Sequence, residues 1–258
     1  TEVLWTYPST GDSYAAFYSK DYAAYVPTLA ITYSYVSASI SISQASITYG
    51  QSATVSGDTD PRQTIGSIKL QYSTDNVTWG DIASATGGAY NFTWTPPSGG
   101  TFYLRSLWST AWVGGSYTVT SNVTTLTVGK ASSYLSLYLS ATSLSPGQSV
   151  TLSAALSPSV SSGTLALQYS MTGITYAQIA GGTPSAGSYA YTWTPPGVGV
   201  YYLRATWTGD LSYNPSTSPV QTLTVSLIPT MISLAASTSA KIGETIALTV
   251  TLRDNSRN

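Results

Sequence analysis

Apolar and polar residues alternate with a period of two along much of the chain, which is the pattern of β-strands with one buried face. Along residues 150–156 every even position holds an apolar side chain, and the odd positions hold Thr151, Ser153 and Ala155. Along residues 201–207 we predict one core-facing set, made of Tyr201, Leu203, Ala205 and Trp207. Short runs of this kind are separated by turns rich in Pro, Gly, Asn and Asp. The pattern predicts an all-β fold.

One long stretch occurs twice, at residues 90–108 and 189–207. Each copy contains the sequence Trp-Thr-Pro-Pro followed by an aromatic strand. Trp94 and Trp193 are 99 residues apart, and so are Trp108 and Trp207. A repeat of that length corresponds to one domain. We therefore predict two complete repeats, at residues 36–130 and 131–227.

Partial repeats flank the two complete ones. The motif Leu4-Trp5-Thr6 matches residues 107–109, so residues 1–35 are predicted to be the C-terminal strands of a preceding repeat. The turn at residues 242–245 repeats the turn at 146–149, so residues 228–258 are predicted to be the N-terminal strands of a following, incomplete repeat. A few strands without a partner sheet are marginal in water. We expect either a longer array or completion of the open ends by neighbouring molecules.

Two segments of the second complete repeat resemble a known family. Residues 147–154 and 203–218 are similar to the tandem Ig-like (Big-type) repeats of bacterial and archaeal surface proteins. The second segment resembles the family pattern A-x-Y-x-G-D-x-x-Y-x-x-S-x-S, with Trp207 as the aromatic residue. The first repeat departs from this pattern at residues 108–117 and is included through the internal alignment. The resemblance implies tandem Ig-like antiparallel β-sandwiches that serve as a stalk, spacer, adhesin or surface lattice, without catalytic residues.

The sequence Gly199-Val200-Tyr201 is also similar to an Ig pattern, in which a Tyr follows a Gly by two positions and precedes a core residue. Leu203 lies where the disulfide Cys of that pattern would be. The first repeat has Phe102 at the Tyr position, which removes the hydroxyl of a tyrosine corner there. Since no disulfide is available, we expect each domain to depend on its core, and Trp193 to be part of it.

Composition excludes several classes of function. Only 7% of the 258 residues are charged and the net charge is −1, so no basic stripe is present to bind nucleic acid. Cys and His are absent, which excludes disulfides, thiolate chemistry and the common zinc sites. No apolar run reaches the length of a membrane span. We expect no cofactor, and the hydroxyl-rich, charge-poor composition favours an extracellular, cell-surface location.

Catalysis is not predicted. There is no His to act as a general base near neutral pH. The ten acidic residues are scattered through predicted turns, rather than forming the converging pair that a glycosidase needs. Asp58 and Asp60 are weak calcium candidates because carboxylates are the ligands that Ca²⁺ prefers. Turn formation is the simpler explanation for this pair.

Three sequons for N-glycosylation begin at Asn76, Asn91 and Asn122, all in the first complete repeat. Asn76 is predicted to lie in a hairpin turn, and Asn91 is predicted to point outward from its strand. A further sequon at Asn214 is blocked by Pro215.

Aromatic residues divide into two groups. Trp79 and Tyr176 recur at equivalent positions, which favours a structural role. The aromatics that do not recur are candidates for contacts with a neighbour, although ordinary loop packing is the simpler explanation. The candidate interface residues are Tyr14, Phe17, Tyr18, Tyr22, Tyr25, Trp112 and Tyr117.

These observations predict a non-enzymatic extracellular structural protein. Its Ig-like array would form a filament, stalk or surface-layer element, with copies of itself as partners and with strand complementation as one mode of assembly. The alternative is an adhesin or carbohydrate-binding arm of a larger surface protein, with glycans as partners.

Overall fold

The computed structural model describes residues 35–112, 115–236 and 239–254. These residues form strands, turns and bends and contain no helix. The chain divides into two compact units, residues 1–131 and 132–258. The predicted strands at residues 1–34 lie outside the described residues.

The first unit contains a large sheet, a small sheet and a short strand pair. Its described strands are β1 (Ser37–Ala38), β2 (Ser41–Ile42), β3 (Ser46–Thr48), β4 (Ala53–Gly57), β5 (Thr59–Asp60), β6 (Ser67–Ser73), β7 (Gly80–Thr86), β8 (Tyr90–Trp94), β9 (Gly100–Trp112), β10 (Gly115–Thr120) and β11 (Thr124–Gly129). The large sheet has the order β3-β11-β9-β6-β7, and β10 also pairs with β9. The small sheet has the order β2-β4-β8, and β1 pairs with β5.

A core fills the space between these sheets. It is built from alternate residues of each strand, as the period-two pattern predicts. Burying these side chains is the main favourable term in folding a domain without disulfides. The fully buried side chains are Val55, Ile68, Leu70, Leu104, Trp108 and Leu126.

The predicted opening strand at residues 39–43 is interrupted. The Ser39 hydroxyl donates to the carbonyl oxygen of Asp58 at 2.9 Å, and the Ser39 backbone N–H donates to the same oxygen. The segment is therefore split into β1 and β2, which pair with β5 and β4 respectively. The cause is that the Asp58 backbone N–H donates to the Ser39 hydroxyl oxygen at 3.1 Å, a side-chain hydrogen bond that competes with the regular ladder.

The second unit repeats the arrangement. Its described strands are β12 (Tyr134–Leu139), β13 (Ser143–Leu144), β14 (Val150–Ser157), β15 (Leu165–Ser170), β16 (Ala177–Gly182), β17 (Ser188–Trp193), β18 (Gly199–Trp207), β19 (Ser216–Thr217), β20 (Gln221–Val225), β21 (Thr230–Ala236) and β22 (Leu248–Asp254). The larger sheet has the order β13-β20-β18-β15-β16, with β19 beside β18. The smaller sheet has the order β12-β14-β17, and β21 pairs with β22 in a separate hairpin.

The predicted core strands of this unit are confirmed. In β18 the exposed fractions of Tyr201, Leu203, Ala205 and Trp207 are 1%, 0%, 0% and 2%. In β14 the even-numbered residues of 150–156 are buried as well. The period-two pattern thus located both faces of these strands correctly.

Three aromatic rings pack together at the margin of the second unit's core, where Tyr201 is buried and Tyr169 is half-buried. Trp193, which was expected in the core, is half-buried and packs against it. The Trp193 ring lies 5.2 Å from the Tyr169 ring and 5.4 Å from the Tyr201 ring, measured between centroids. The Tyr201 hydroxyl donates to the carbonyl oxygen of Gly197 at 2.8 Å. The tyrosine corner is therefore formed in this repeat. In the first unit Phe102 takes the place of Tyr201, and its ring lies 5.3 Å from that of Trp94.

A side-chain cap holds the same kind of turn at three places among the described residues. The Gln51 side-chain oxygen accepts from the backbone N–H of Thr48, and Gln148 accepts in the same way from Ser145, both at 2.8 Å. In the turn before β22, the Glu244 carboxylate accepts from the backbone N–H of Lys241 at 2.9 Å. The recurrence shows that the turn before β22 is capped in the same way as the turn before β14.

Candidate interaction surfaces

An apolar face on the β21–β22 hairpin is the first candidate surface. Ile232 pairs with Leu252, and Leu234 pairs with Val250, so these side chains lie together on one side of the ladder. Their exposed fractions are 65–70%. Contiguous exposed apolar side chains of this kind mark sites of interaction with other protein surfaces.

The β12–β14 pair shows how such a face is covered. Leu135 pairs with Leu156 there, and Leu137 pairs with Ala154. These four side chains are at most 6% exposed because the opposite sheet covers them. The β21–β22 face has the same pairing pattern, but no second sheet covers it among the described residues.

A hairpin formed by β9 and β10 is the second candidate surface. The candidate Trp112 is the last residue of β9, and it pairs with Gly115. The candidate Tyr117 lies on β10, is 42% exposed, and meets the Trp108 ring edge-on at 6.3 Å. The other candidate aromatics, Tyr14, Phe17, Tyr18, Tyr22 and Tyr25, lie outside the described residues.

An arginine stacks on the recurring hairpin aromatic in both units. The guanidinium carbon of Arg105 lies 4.0 Å from the centroid of a Trp79 ring, and that of Arg204 lies 3.8 Å from the Tyr176 ring. The Nε of Arg105 also donates to the side-chain oxygen of Gln71 at 2.9 Å. The structural role predicted for both aromatics is therefore a cation–π contact that fastens the hairpin to the sheet.

The sequence analysis missed this role of the arginines, although a signal was present. The motif Leu-Gln-Tyr-Ser and an Arg that follows the buried Leu104 or Leu203 both recur with the aromatic residue. Residues that recur together across repeats indicate mutual contact, even on the outward face of a sheet.

A small charged network extends the stack in the first unit. The Asp81 carboxylate accepts from the Gln71 amide and from the Lys69 ammonium, both at 2.7 Å. These hydrogen bonds hold the pKa of Asp81 below its usual range. Because both side chains are exposed, the contribution of this ion pair to stability is small.

The two calcium candidates lie near the β5 strand. One carboxylate oxygen of Asp58 accepts from the Thr59 backbone N–H at 2.8 Å, and the other lies 3.6 Å from Nε of Arg62. Asp60 is in β5 and pairs with Ser37. Within the described part of the chain, no group of three or more acidic residues is placed to hold a metal ion. Asp58 is thus engaged in its own turn and with a cation.

All three sequon asparagines are exposed. Asn76 lies at the tip of the β6–β7 hairpin with a φ of 59°. Asp75 holds this turn, since its carboxylate accepts from the N–H groups of Thr78 and Val77, and these bonds lower the pKa of Asp75 well below its usual range. Asn91 is exposed on β8, as predicted, and Asn122 follows the buried Ser121 between β10 and β11.

Among residues 35–112, 115–236 and 239–254, no helix has the length and hydrophobicity needed to cross a membrane.

Comparison with known proteins identifies the fold. Residues 137–226 match the family model described as "Bacterial Ig-like domain (group 3)". The resemblance drawn from the sequence is confirmed by this match. No curated protein sequence matches the chain.

One solved structure supports the architecture, and two others were found at lower TM-scores. The first is a crystal structure of a tetra-tandem repeat in the extending region of a large adhesion protein, with a TM-score of 0.51 at 14% identity over 84% of this chain. The chain spans 63% of the length of that structure. Fibronectin(III)-like modules of Clostridium thermocellum CbhA match at 14% identity over 73% of this chain and 93% of theirs, with a TM-score of 0.30. The human OSCAR ligand-binding domain matches at 15% identity over 73% and 97% of the two chains, with a TM-score of 0.26. The predicted fold class, tandem Ig-like antiparallel β-sandwiches, is confirmed.

Proposed function

We propose that this chain is a non-enzymatic extracellular structural protein whose Ig-like array forms a cell-surface filament, stalk or surface-layer element. The observation that carries the proposal is the uncovered apolar face of β21–β22. Its paired side chains are 65–70% exposed, whereas their counterparts in β12–β14 are buried beneath a second sheet. Leaving such a face in water forfeits the main favourable term of folding, so an Ig-like array with this face requires a covering sheet.

Strand complementation supplies that sheet in the proposed assembly. An extended segment of the next subunit adds main-chain hydrogen bonds to a free sheet edge and places alternate apolar side chains on the exposed face. The segment at residues 1–35 has sequence matches to the closing strands of the repeats, at Leu4-Trp5-Thr6 and at residues 29–32. We assign it as the complementing segment, donated from one subunit to the β21–β22 hairpin of the next.

The comparisons support the proposed location at the cell surface. One similar fold comes from the extending region of a large adhesion protein, where tandem repeats are found. A bacterial Ig-like repeat and a charge-poor, hydroxyl-rich surface both fit a location outside the cell. We therefore place this array at the cell surface as well.

The test is the size of the native protein and its dependence on concentration. We expect linear oligomers in electron micrographs and a mass by light scattering that rises with concentration. A purified chain that stays monomeric at high concentration, with residues 230–254 folded, contradicts strand complementation. A native polypeptide much larger than 27.0 kDa would instead mean that the covering strands belong to the same polypeptide.

We further propose that the array is glycosylated at one or more of its exposed sequons. Asn76 is the best placed, because it lies at a hairpin tip where an enzyme can reach the whole sequon; the next residue, Val77, is 79% exposed. We expect the intact mass of the native protein to fall after glycan removal. Replacing Asn76 by Gln in the native host should lower the mass by one glycan, while replacing the blocked Asn214 should not. A native mass equal to that of the polypeptide contradicts the proposal.

A further inference from the structure

The β10 strand forms an open edge of the large sheet in the first unit. It runs over six residues, Gly115–Thr120, and its partner is β9. No backbone group of another described strand pairs with its outer side. An edge of this kind presents a row of free N–H and C=O groups to any extended chain.

The register shows which residues of β10 carry the free groups. The backbone N–H of Ser121 donates to the carbonyl oxygen of Ser106, so the backbone of Ser106 points towards the β10 side of β9. Alternation along an antiparallel ladder then gives hydrogen-bonded pairs at Trp108–Val119 and at Thr110–Tyr117. The backbone groups of the intervening residues, Ser116, Thr118 and Thr120, therefore point outward.

The second unit protects the equivalent edge. Its β19 strand has only two residues, Ser216–Thr217, beside β18. The pair Ala205–Ser218 is equivalent to Ser106–Ser121, because the backbone N–H of Ser218 donates to Ala205. Ser218 and Ser121 are thus equivalent positions. Pro215 and Thr118, each three residues earlier, are therefore equivalent as well. Proline has no N–H, and it is a common guard of an edge strand.

Two such guards, charged residues and proline, are absent from β10. Residues 106–129 contain no charged residue, and residues 115–120 contain no proline. The opposite edge of the same sheet is different, since β7 carries Asp81 and a register shift opposite Leu70 and Gln71. The strand is also rich in residues that favour sheets, namely Tyr117, Thr118, Val119 and Thr120.

We propose that β10 is a docking strip for the β10 strand of a second copy of this chain. Pairing the two strands antiparallel about a two-fold axis at Thr118 uses the same outward groups on both copies. In this register Ser116 lies opposite Thr120, and Tyr117 lies opposite Val119. The second contact is an aromatic–β-branched pair, of the kind that stabilises neighbouring strands.

A second copy is the occupant that this strip fits best. Identical uncharged strands meet without like-charge repulsion, and the net charge of −1 opposes association very little. The 42% of Tyr117 that is exposed would be partly covered by the new strand. The inference rests on the proposed self-assembling array and adds to it a contact that does not involve the β21–β22 face.

The test uses the full chain carrying Val250→Glu, which removes assembly through the β21–β22 face. In sedimentation velocity we expect this protein to form dimers. Adding Thr118→Pro should weaken the dimer roughly tenfold or more, because each copy loses an outward N–H donor. Adding Thr118→Ala, which keeps the N–H, should leave the dimer unchanged. Equal melting temperatures of the Pro and Ala variants would show that the fold is intact.

Single cysteines give an independent readout, since the chain has none. With Thr118→Cys the two thiols lie on the two-fold axis, at a Cα separation of about 5.5 Å that a disulfide can span. With Ser116→Cys the two Cα atoms are on the order of 13 Å apart in this register, too far for a bridge. We expect a disulfide-linked dimer for the first variant only.

Two results overturn the inference: dimers that are unaffected by Thr118→Pro, or a Val250→Glu protein that is monomeric at all concentrations and does not cross-link through Thr118→Cys. Failure of the proposed array gives a different result. In that case the unmodified chain and the Val250→Glu variant associate to the same extent.

Discussion

Replacing Trp193 by Ala is expected to destabilise the second unit by roughly 3 kcal/mol, the low end of the cost of truncating a core Trp, because this ring is half-buried and packs against the core. The Trp193 ring packs against Tyr169 and Tyr201 at 5.2 and 5.4 Å, so its removal takes away the contacts of both rings and exposes the core beneath them. The free energy of unfolding of a small domain is about 5–15 kcal/mol, so the substitution would remove a large share of the stability of the second unit. Hydrogen exchange of β14 and β17 amides during denaturation of the full chain measures this change.

Two controls separate core packing from a general effect. Trp193→Phe keeps an aromatic ring between Tyr169 and Tyr201 and should lose much less stability than the Ala variant. Trp94→Ala removes the equivalent ring of the first unit, which lies 5.4 Å from Tyr72, and should leave the second unit unchanged. If Trp193→Ala lowers the free energy of unfolding of the second unit by less than about 1 kcal/mol, the ring contributes little to the core.

The sequence predicted most of the fold because burial imposes a strict period on strands. The faces of β14 and β18 followed directly from alternation, and the repeat located the same strands in both units. The interruption between β1 and β2 was not predicted. It depends on a hydrogen bond from the Asp58 backbone N–H to the Ser39 hydroxyl, and Ser is so frequent in this chain that one Ser carries no signal.

The candidate surfaces were less predictable for a different reason. Interaction surfaces depend on what is left uncovered, and a period-two pattern is the same for a covered and an uncovered face. The sequence could place Leu234 and Val250 on strands, but only their pairing and exposure identify the apolar face. The open edge of β10 likewise depends on its register with β9 and on the contrast with Pro215.

Glu at position 250 is expected to abolish assembly through the β21–β22 face. Val250 lies opposite Leu234 and is 66% exposed, so Val250→Glu is tolerated in the isolated chain. In the assembly the same side chain would be buried beneath the complementing strands. Burying an unpaired carboxylate costs several kcal/mol, which corresponds to a loss of affinity of about 100-fold or more. Light scattering across a concentration series measures this loss.

The neighbouring residue provides the matched control. Thr251 pairs with Ser233 on the opposite side of the same ladder, so Thr251→Glu adds the same charge to the same strand without entering the apolar face. The Thr251→Glu protein should assemble like the unmodified chain. If both variants assemble normally, the apolar face is not covered in the assembly; if both fail, added charge rather than burial is responsible. A difference in assembly between the Val250→Glu and Thr251→Glu proteins would therefore connect the alternation of apolar and polar residues in the sequence to the function proposed for this array.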